Sequence, residues 1–207
     1  MDKKHQGEYG YLSYKKKIET LKTILYFAVP LALFAAGIIT TGTKKNLLTL
    51  VAVLGILPAS KNAVLAIMYL KSKSLLPEEY EKISEGVKAC QKKIGEETAG
   101  ALALYDLVFT TQSVTYEVPA ILLYGGSVFG FVRCGGKSKG KKDSQELVQD
   151  LQKHLTTTLQ KDRINASVKM YDSAEAFLQR ISEIKHLENA DEAFNTAAAK
   201  VLFQISL

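Results

Sequence analysis

The stretch from Thr23 to Leu70 decides the fold, and it reads TILYFAVPLALFAAGIITTGTKKNLLTLVAVLGILPASKNAVLAIMYL. A helix needs roughly 20 predominantly apolar residues to cross the hydrocarbon core of a membrane. The first arm, residues 23–41, carries no charge, and the second arm, residues 47–70, carries only Lys61. A five-residue polar loop, GTKKN, joins the two arms. We therefore predict a transmembrane helical hairpin over residues 23–70.

Lysines on one side of this hairpin predict its orientation. Residues 1–70 hold nine lysines against three acids, and six of those lysines precede the first arm. Lys71 and Lys73 follow the second arm, whereas the loop holds only Lys44 and Lys45. Because lysine and arginine accumulate on the cytoplasmic side, we predict a two-pass protein of the cell membrane with both termini cytoplasmic. A cleaved signal peptide is the competing interpretation of the first arm, but its apolar run is long for one and a second arm follows at once.

The rest of the charge pattern argues against nucleic acid as the partner. The chain has a net charge of +6, yet residues 71–207 hold 18 basic and 18 acidic residues and are neutral as a whole. The excess lies beside the hairpin, where it favours anionic lipid. We divide the chain into a basic juxtamembrane segment (1–22), the hairpin (23–70) and a cytosolic domain (71–207). The basic segment either lies along the headgroups or is a disordered tail.

The cytosolic part alternates helical and strand patterns. Pro77 followed by two glutamates predicts a helix start, and three apolar strand patterns come after Gly100. The pair Gly125-Gly126 predicts a two-residue hairpin turn between the second and third strands. A helix from about residue 144, a fourth strand and two further helices complete the pattern. We expect an α/β (α+β) domain of about four strands and four helices.

The order helix, three strands, helix, strand, together with the stretch YEVPAILLYGGSVFGFVR at residues 116–133, resembles the nuclease-related domain of the restriction-endonuclease-like superfamily. That resemblance is one of topology, and it implies a magnesium site built from two carboxylates and a lysine. Glu117 would supply the first carboxylate. The second position holds Gly130 or Phe131, and the lysine position holds Val132 or Arg133, so the implied metal site is incomplete.

Two groups of polar residues are the other candidates for a site. Asp106 and Glu117 lie in apolar strand patterns, where a carboxylate is either a functional group with a perturbed pKa or a strand-end residue facing water. A basic stretch after the third strand would contact anionic headgroups or RNA, and it consists of Arg133, Lys137, Lys139, Lys141 and Lys142. This stretch misses a phosphate-binding loop motif by one residue, because Gly136 intervenes. No metal-ligand spacing of Cys or His occurs, and we expect no cofactor.

Small residues in the two arms predict how the hairpin packs. Steps of four place Ala28, Ala32 and Ala36 on one ridge, and Gly55, Ala59 and Ala63 on another. Small residues let membrane helices approach closely, so we expect the two ridges to face each other. On a helical projection Asn62 lies near this ridge and Lys61 points away from it. Lys61 then either snorkels to the outer interface, faces a partner-lined interior, or belongs to a re-entrant second arm.

These patterns favour a membrane-anchored cytosolic domain that binds or scaffolds a partner and has no evident catalytic site. Two alternatives stay open: a metal-dependent, nuclease-like hydrolase using Asp106 and Glu117, and a small oligomeric membrane assembly regulated by its cytosolic domain. The expected partners are membrane lipid and either a second copy of the chain or another membrane protein.

Overall fold

The structure is a computed structural model that describes residues 3–94, 100–111, 114–133, 144–185 and 192–207. The described residues form six helices and four strands. In chain order these elements are α1 (Tyr11–Thr41), α2 (Leu47–Lys71), α3 (Pro77–Ile94), β1 (Leu102–Thr110), β2 (Thr115–Tyr124), β3 (Ser127–Phe131), α4 (Ser144–Lys161), β4 (Ser167–Tyr171), α5 (Ala174–Ser182) and α6 (Glu192–Ile205).

The chain divides into two compact units. The hairpin unit is Leu12–Lys73, and the α/β unit consists of the described residues up to Tyr11 together with Ser74–Leu207. This division differs from the expected juxtamembrane segment over residues 1–22. Residues 3–10 belong to the α/β unit, and the lysine-rich stretch after them is the start of α1. The physical reason is that no helix breaker separates this stretch from the first arm, whereas Gly10, with φ at +80°, ends the preceding segment.

The α/β unit has the expected fold class. Its sheet has the order β1-β2-β3-β4, with antiparallel pairs up to β3 and a parallel pair between β3 and β4. The glycines at 125 and 126 both have positive φ and form the two-residue turn between β2 and β3. Helices α3 and α5 cover one face of the sheet, and α4 and α6 cover the other. The sheet is therefore the middle layer of three.

A local distortion crosses β1 and β2. Asp106 has φ at +54°, and the register places it opposite Pro119, which has no N–H to donate. Regular strands alternate their side chains between faces, but Leu104 and Leu107, three residues apart, belong to the same core cluster on the α4 and α6 side. The distortion therefore shifts the alternation by one residue and frees the Asp106 side chain from the regular pattern.

The outer edge of β1 is covered by segments from both ends of the sequence. Gly7 forms an antiparallel bridge with Tyr105, and Ser206 forms one with Phe109. The N–H of Leu207 also donates to the carbonyl of Val108 at 2.9 Å. An exposed strand edge invites pairing with other chains, so these two segments protect the sheet.

Candidate functional site

Asp106 is a buried polar side chain of the α/β unit that joins two distant backbone segments. Only 4 % of the residue is exposed. Its Oδ2 accepts the N–H of Gly10 at 2.8 Å, and its Oδ1 accepts the N–H of Leu75 at 2.9 Å. Gly10 comes just before the chain enters the hairpin unit, and Leu75 comes just after it returns. One buried carboxylate therefore fixes both the entrance and the exit of the chain in the α/β unit.

The left-handed backbone of Asp106 is part of this arrangement. Aspartate tolerates this conformation better than most residues because its short polar side chain makes local hydrogen bonds. A regular strand conformation would point the side chain to the α4 and α6 side, as the alternation from Leu104 requires. We infer that the positive φ turns the carboxylate toward the backbone of residues 10 and 75.

The segment before α1 is held at several further points. The side-chain amide of Gln6 donates to the carbonyl of Phe203 at 3.1 Å and to Ser206 Oγ at 2.7 Å. Gly7, with φ at +89°, lies so close to Phe203 that a Cβ there would be 2.8 Å from its ring. The N–H of Tyr105 donates to the carbonyl of Gly7 at 2.8 Å. We call residues 4–10 the N-terminal strap.

Three tyrosines surround the end of the strap. Tyr9 stacks on Tyr80 with ring centroids 3.9 Å apart, and Tyr80 meets Tyr105 edge-on at 5.2 Å. Burial, followed by the charge of Asp106, raises the pKa of Tyr9. Burial, with a smaller contribution from Tyr80, raises the pKa of Tyr105 to about 12. These pKa shifts favour the neutral phenols of Tyr9 and Tyr105.

The second candidate carboxylate, Glu117, takes part in a different arrangement. It is half-buried on β2, and its Cα partner across the sheet is Val108, two residues beyond Asp106. Its backbone carbonyl accepts the N–H of Arg133 at 2.9 Å. The Arg133 guanidinium forms a salt bridge with Glu79 and donates to the carbonyl of Ser74 at 3.4 Å. Arg133 thus connects the end of β3 to the start of α3.

The remaining positions of the implied nuclease site hold apolar contacts. A Cβ on Gly130 would lie 3.0 Å from Met170 Cε and 3.1 Å from Ile121 Cγ1. Phe131 belongs to the core on the α3 and α5 side. Among the residues that the structure describes, no three His, Cys, Asp or Glu side chains are grouped to hold a metal ion. The four lysines at 137, 139, 141 and 142 lie outside the described residues.

The hairpin packs through small residues, but the residues of the first arm that face the second arm are not the predicted ones. Ala28, Ala32 and Ala36 are exposed, whereas Pro30 and Gly37, seven residues apart, are buried. A four-residue step rotates around a helix, whereas a seven-residue step nearly returns to the same face and follows a neighbouring helix. The contact line on the first arm therefore follows the seven-residue step.

The second arm follows the same rule and retains much of the expected ridge. Its buried residues Ala52, Ala59 and Ala66 are each seven apart, and Ala59 has 0 % exposure. Gly55 and Ala63 are half-buried. A Cβ on Gly55 would lie 3.0 Å from Pro30 Cγ, a tight contact that favours glycine where α2 passes that proline.

The two polar residues of the second arm occupy different surroundings. Asn62 is half-buried, its side-chain amide donates to the carbonyl of Pro58 at 3.1 Å, and its own carbonyl accepts the Thr23 hydroxyl at 3.2 Å. Asn62 therefore lies beside the helix–helix contact, as the helical projection predicts. Lys61 is exposed on the surface of α2. Both α1 and α2 are long and apolar enough to span a membrane.

Sequence reasoning identified Asp106 as a candidate but not its role, because the partners are the backbone N–H groups of distant residues. Backbone partners leave no pattern of side chains in the sequence. The only signal was an aspartate within an apolar strand pattern, placed opposite a proline of the next strand. The strap was missed for a similar reason, since a polar segment rich in lysine and tyrosine is equally typical of a membrane interface.

Comparison with known proteins gives no relative. No protein-family model matches this chain, and neither a curated protein nor a solved structure matches it.

Proposed function

We propose that this chain is a two-span protein of the cell membrane whose α/β unit binds or scaffolds a partner at the cytoplasmic face. The observation that carries the proposal is the contrast between the two units. Large apolar side chains cover the outside of the hairpin unit, and Ile39 and Leu57 are 82 % and 70 % exposed. The α/β unit instead encloses its large side chains in two core clusters. A bilayer would cover the first surface, and water suits the second.

Asp106 holds both places where the chain leaves and re-enters the α/β unit. Gly10 and Leu75 both donate to Asp106, so neither place can move away from the sheet without breaking a buried hydrogen bond. The α/β unit is therefore fixed at the two points where the chain enters and leaves it, which suits a rigid binding domain.

Binding is favoured over catalysis because the candidate carboxylates have structural tasks. Asp106 is engaged by two backbone donors, and Glu117 lies beside the junction that Arg133 makes with α3. The hydrolase alternative would then rest on Glu117 with no second acid at Gly130 or Phe131. Magnesium-dependent cleavage of nucleic acid by the purified protein, abolished by Glu117→Gln, would decide for that alternative.

Reporter fusions test the membrane topology. A reporter active only in the cytosol should work after Leu207, and one active only outside should work between Gly42 and Asn46. The reason is the lysine distribution on the two sides of the hairpin. The reverse pattern would overturn the orientation, and release of the protein by alkaline carbonate would overturn membrane spanning itself.

A pull-down tests the binding role. The tagged full chain, solubilised from membranes, should retain a partner that a matched chain with the α/β unit replaced by an unrelated soluble domain does not retain. If both chains recover the same proteins, the hairpin is the binding element, and the oligomeric-assembly alternative replaces the scaffold.

A further inference from the structure

Lys61 lies in the interior of α2, far from both of its ends. It lies ten residues before the end of α2 at Lys71 and fourteen after its start at Leu47. At 1.5 Å per residue the nearer end is about 15 Å away, which exceeds the reach of a lysine stem. Helical side chains also lean toward the helix N-terminus, and therefore away from that nearer end. Among the described residues, Lys61 makes no hydrogen bond or ion pair.

A groove in the hairpin lies next to this lysine. It has a volume of about 400 Å³ and runs between the two arms, lined by Leu25, Tyr26, Val29, Pro30, Gly55 and Pro58. Pro58 lies three residues before Lys61, which makes the two residues neighbours on the surface of α2. Lys61 therefore lies beside the groove, next to its Pro58 side.

The two prolines of the groove leave hydrogen-bond acceptors behind. In a helix the N–H of each residue donates to the carbonyl four residues earlier, and proline has no N–H. The carbonyl of Tyr26 therefore lacks the donor at Pro30, and the carbonyl of Leu54 lacks the donor at Pro58. Water cannot replace these donors in the hydrocarbon region, so another donor has to satisfy them.

The acceptors and the lysine lie at one depth of the hairpin. Gly55 faces Pro30, and Asn62 faces Thr23, which fixes the register of the antiparallel arms. The Tyr26 carbonyl points toward Pro30 and the Leu54 carbonyl toward Pro58, so both lie near the level of Pro58. The Lys61 side chain leans back by about one turn and reaches the same level. When two copies insert in the same orientation, the Lys61 side chain of one copy therefore lies at the same depth as the Tyr26 and Leu54 carbonyls of the other.

We propose that the occupant of this groove is a second copy of the chain. The Lys61 ammonium of each copy donates to the Tyr26 and Leu54 carbonyls of the other. A two-fold axis along the membrane normal allows both copies to make the same contact, because each copy presents Lys61 beside the groove that holds its own two acceptors. An ammonium has three donors, enough for both carbonyls. The chain thus carries both halves of the interaction, whereas another partner would have to bring its own acceptors at that depth.

This inference rests on the proposed membrane anchoring, and the test keeps the two apart. Membranes that contain the full chain are washed with alkaline carbonate, and the chain is then purified and reconstituted in lipid vesicles. Dimers are measured by energy transfer between two fluorescent labels while the ratio of lipid to protein is increased. We expect dimers for the wild type and a dissociation constant at least tenfold higher for Lys61→Leu. Lys61→Arg, which keeps a cationic donor, should dimerise nearly as well as the wild type.

Removing the acceptors provides an independent variant. Replacing both Pro30 and Pro58 by alanine restores the helical donors to the two carbonyls, and should weaken the dimer about as much as Lys61→Leu. The matched control is Ser60→Leu, since Ser60 is exposed beside Lys61 and its hydroxyl already donates to the carbonyl of Ile56 at 2.8 Å. That variant should dimerise like the wild type.

The outcomes separate the two proposals. A wild-type chain that resists the carbonate wash but stays monomeric overturns the dimer and leaves the anchor standing. An unchanged dissociation constant in Lys61→Leu overturns the assigned contact. A chain that the wash removes from membranes overturns the anchor, and with it the dimer.

Discussion

The two units of this chain bury opposite kinds of side chain. In the α/β unit the fully buried residues include Phe109, Tyr124 and Phe177. In α2 the most buried residue is Ala59, while the leucines and valines around it face outward. Removing apolar area from water stabilises the first unit by roughly 25 cal/mol per Å². In the bilayer that we propose for the hairpin, lipid gives no such gain, so close backbone approach through small residues would hold the second unit together.

This difference teaches that the two units should be sensitive to different kinds of substitution. A larger side chain is tolerated where the hairpin faces outward and harmful where its helices touch. A smaller side chain is harmful in the core of the α/β unit, where it leaves a cavity. The following predictions use that contrast, and the first two examine how the α/β unit depends on the strap that precedes the hairpin.

The largest expected effect is removal of the strap. A fragment of residues 74–207 leaves Asp106 without Gly10 and the N–H of Tyr105 without Gly7. Each buried polar group left unpaired costs about 1–3 kcal/mol, so the fragment should lose about 3–5 kcal/mol of unfolding free energy. The reference is a chain in which residues 1–11 are joined to residue 74 by a short Gly/Ser linker. Urea unfolding compares the two, and equal midpoints would show that the strap does not stabilise the sheet.

The next effect is that of the shared carboxylate. Asp106→Ala should cost about 2–4 kcal/mol, because two buried N–H groups lose their acceptor and alanine adopts the left-handed backbone poorly. Asp106→Asn keeps one acceptor oxygen and should cost about half as much. Urea unfolding of the linked α/β chain measures both. Asp162→Ala, at an exposed position, is the control and should stay within about 0.5 kcal/mol. Equal midpoints for the alanine variants at 106 and 162 would contradict the stabilising role of the Asp106 carboxylate.

The hairpin prediction concerns a matched pair of substitutions. Ala59→Phe places a large ring in the contact between the arms and should destabilise the hairpin by about 1–3 kcal/mol. Ala32→Phe adds the same ring on an exposed face of α1 and should change its stability by less than about 0.5 kcal/mol. Unfolding in increasing denaturing detergent measures both variants. Equal losses would mean that Ala32 faces the second arm after all.

The smallest expected effect is one of alkaline pH. Burial raises the pKa of Tyr105 to about 12 from its ordinary value of 10.0. The folded state therefore holds the phenolic proton more tightly than the unfolded state, so this stability is complete below pH 10 and is lost as the pH rises toward 12. Tyr105→Phe should flatten that decline in the linked α/β chain. Thermal unfolding of the linked α/β chain with and without this substitution, at pH 9 and pH 11, tests the prediction, and an equal decline in both would contradict it.

Much of the fold could be predicted from local patterns. The length and apolarity of the arms, the proline at the start of α3 and the glycine pair between β2 and β3 all act through nearby residues. The contacts of the strap and of Asp106 could not be predicted, because the partners lie up to 200 residues apart and most of them are backbone groups. The packing stripe of the first arm was wrongly placed for another reason. The alanines were chosen on a four-residue step, whereas the buried residues Pro30 and Gly37 are seven residues apart and the Pro30 ring lies against Gly55.

The strap also sets an order of events during synthesis. Gly7 and Gly10 leave the ribosome first, but their partners on β1 are made only after both arms of the hairpin. The edge of the sheet therefore cannot close until the apolar arms already exist. A chain whose hairpin has entered the bilayer would bring the strap and β1 together on one side of it. Until β1 has been made, the strap has no strand to pair with, so this edge of the sheet is completed only after the whole hairpin has been synthesised.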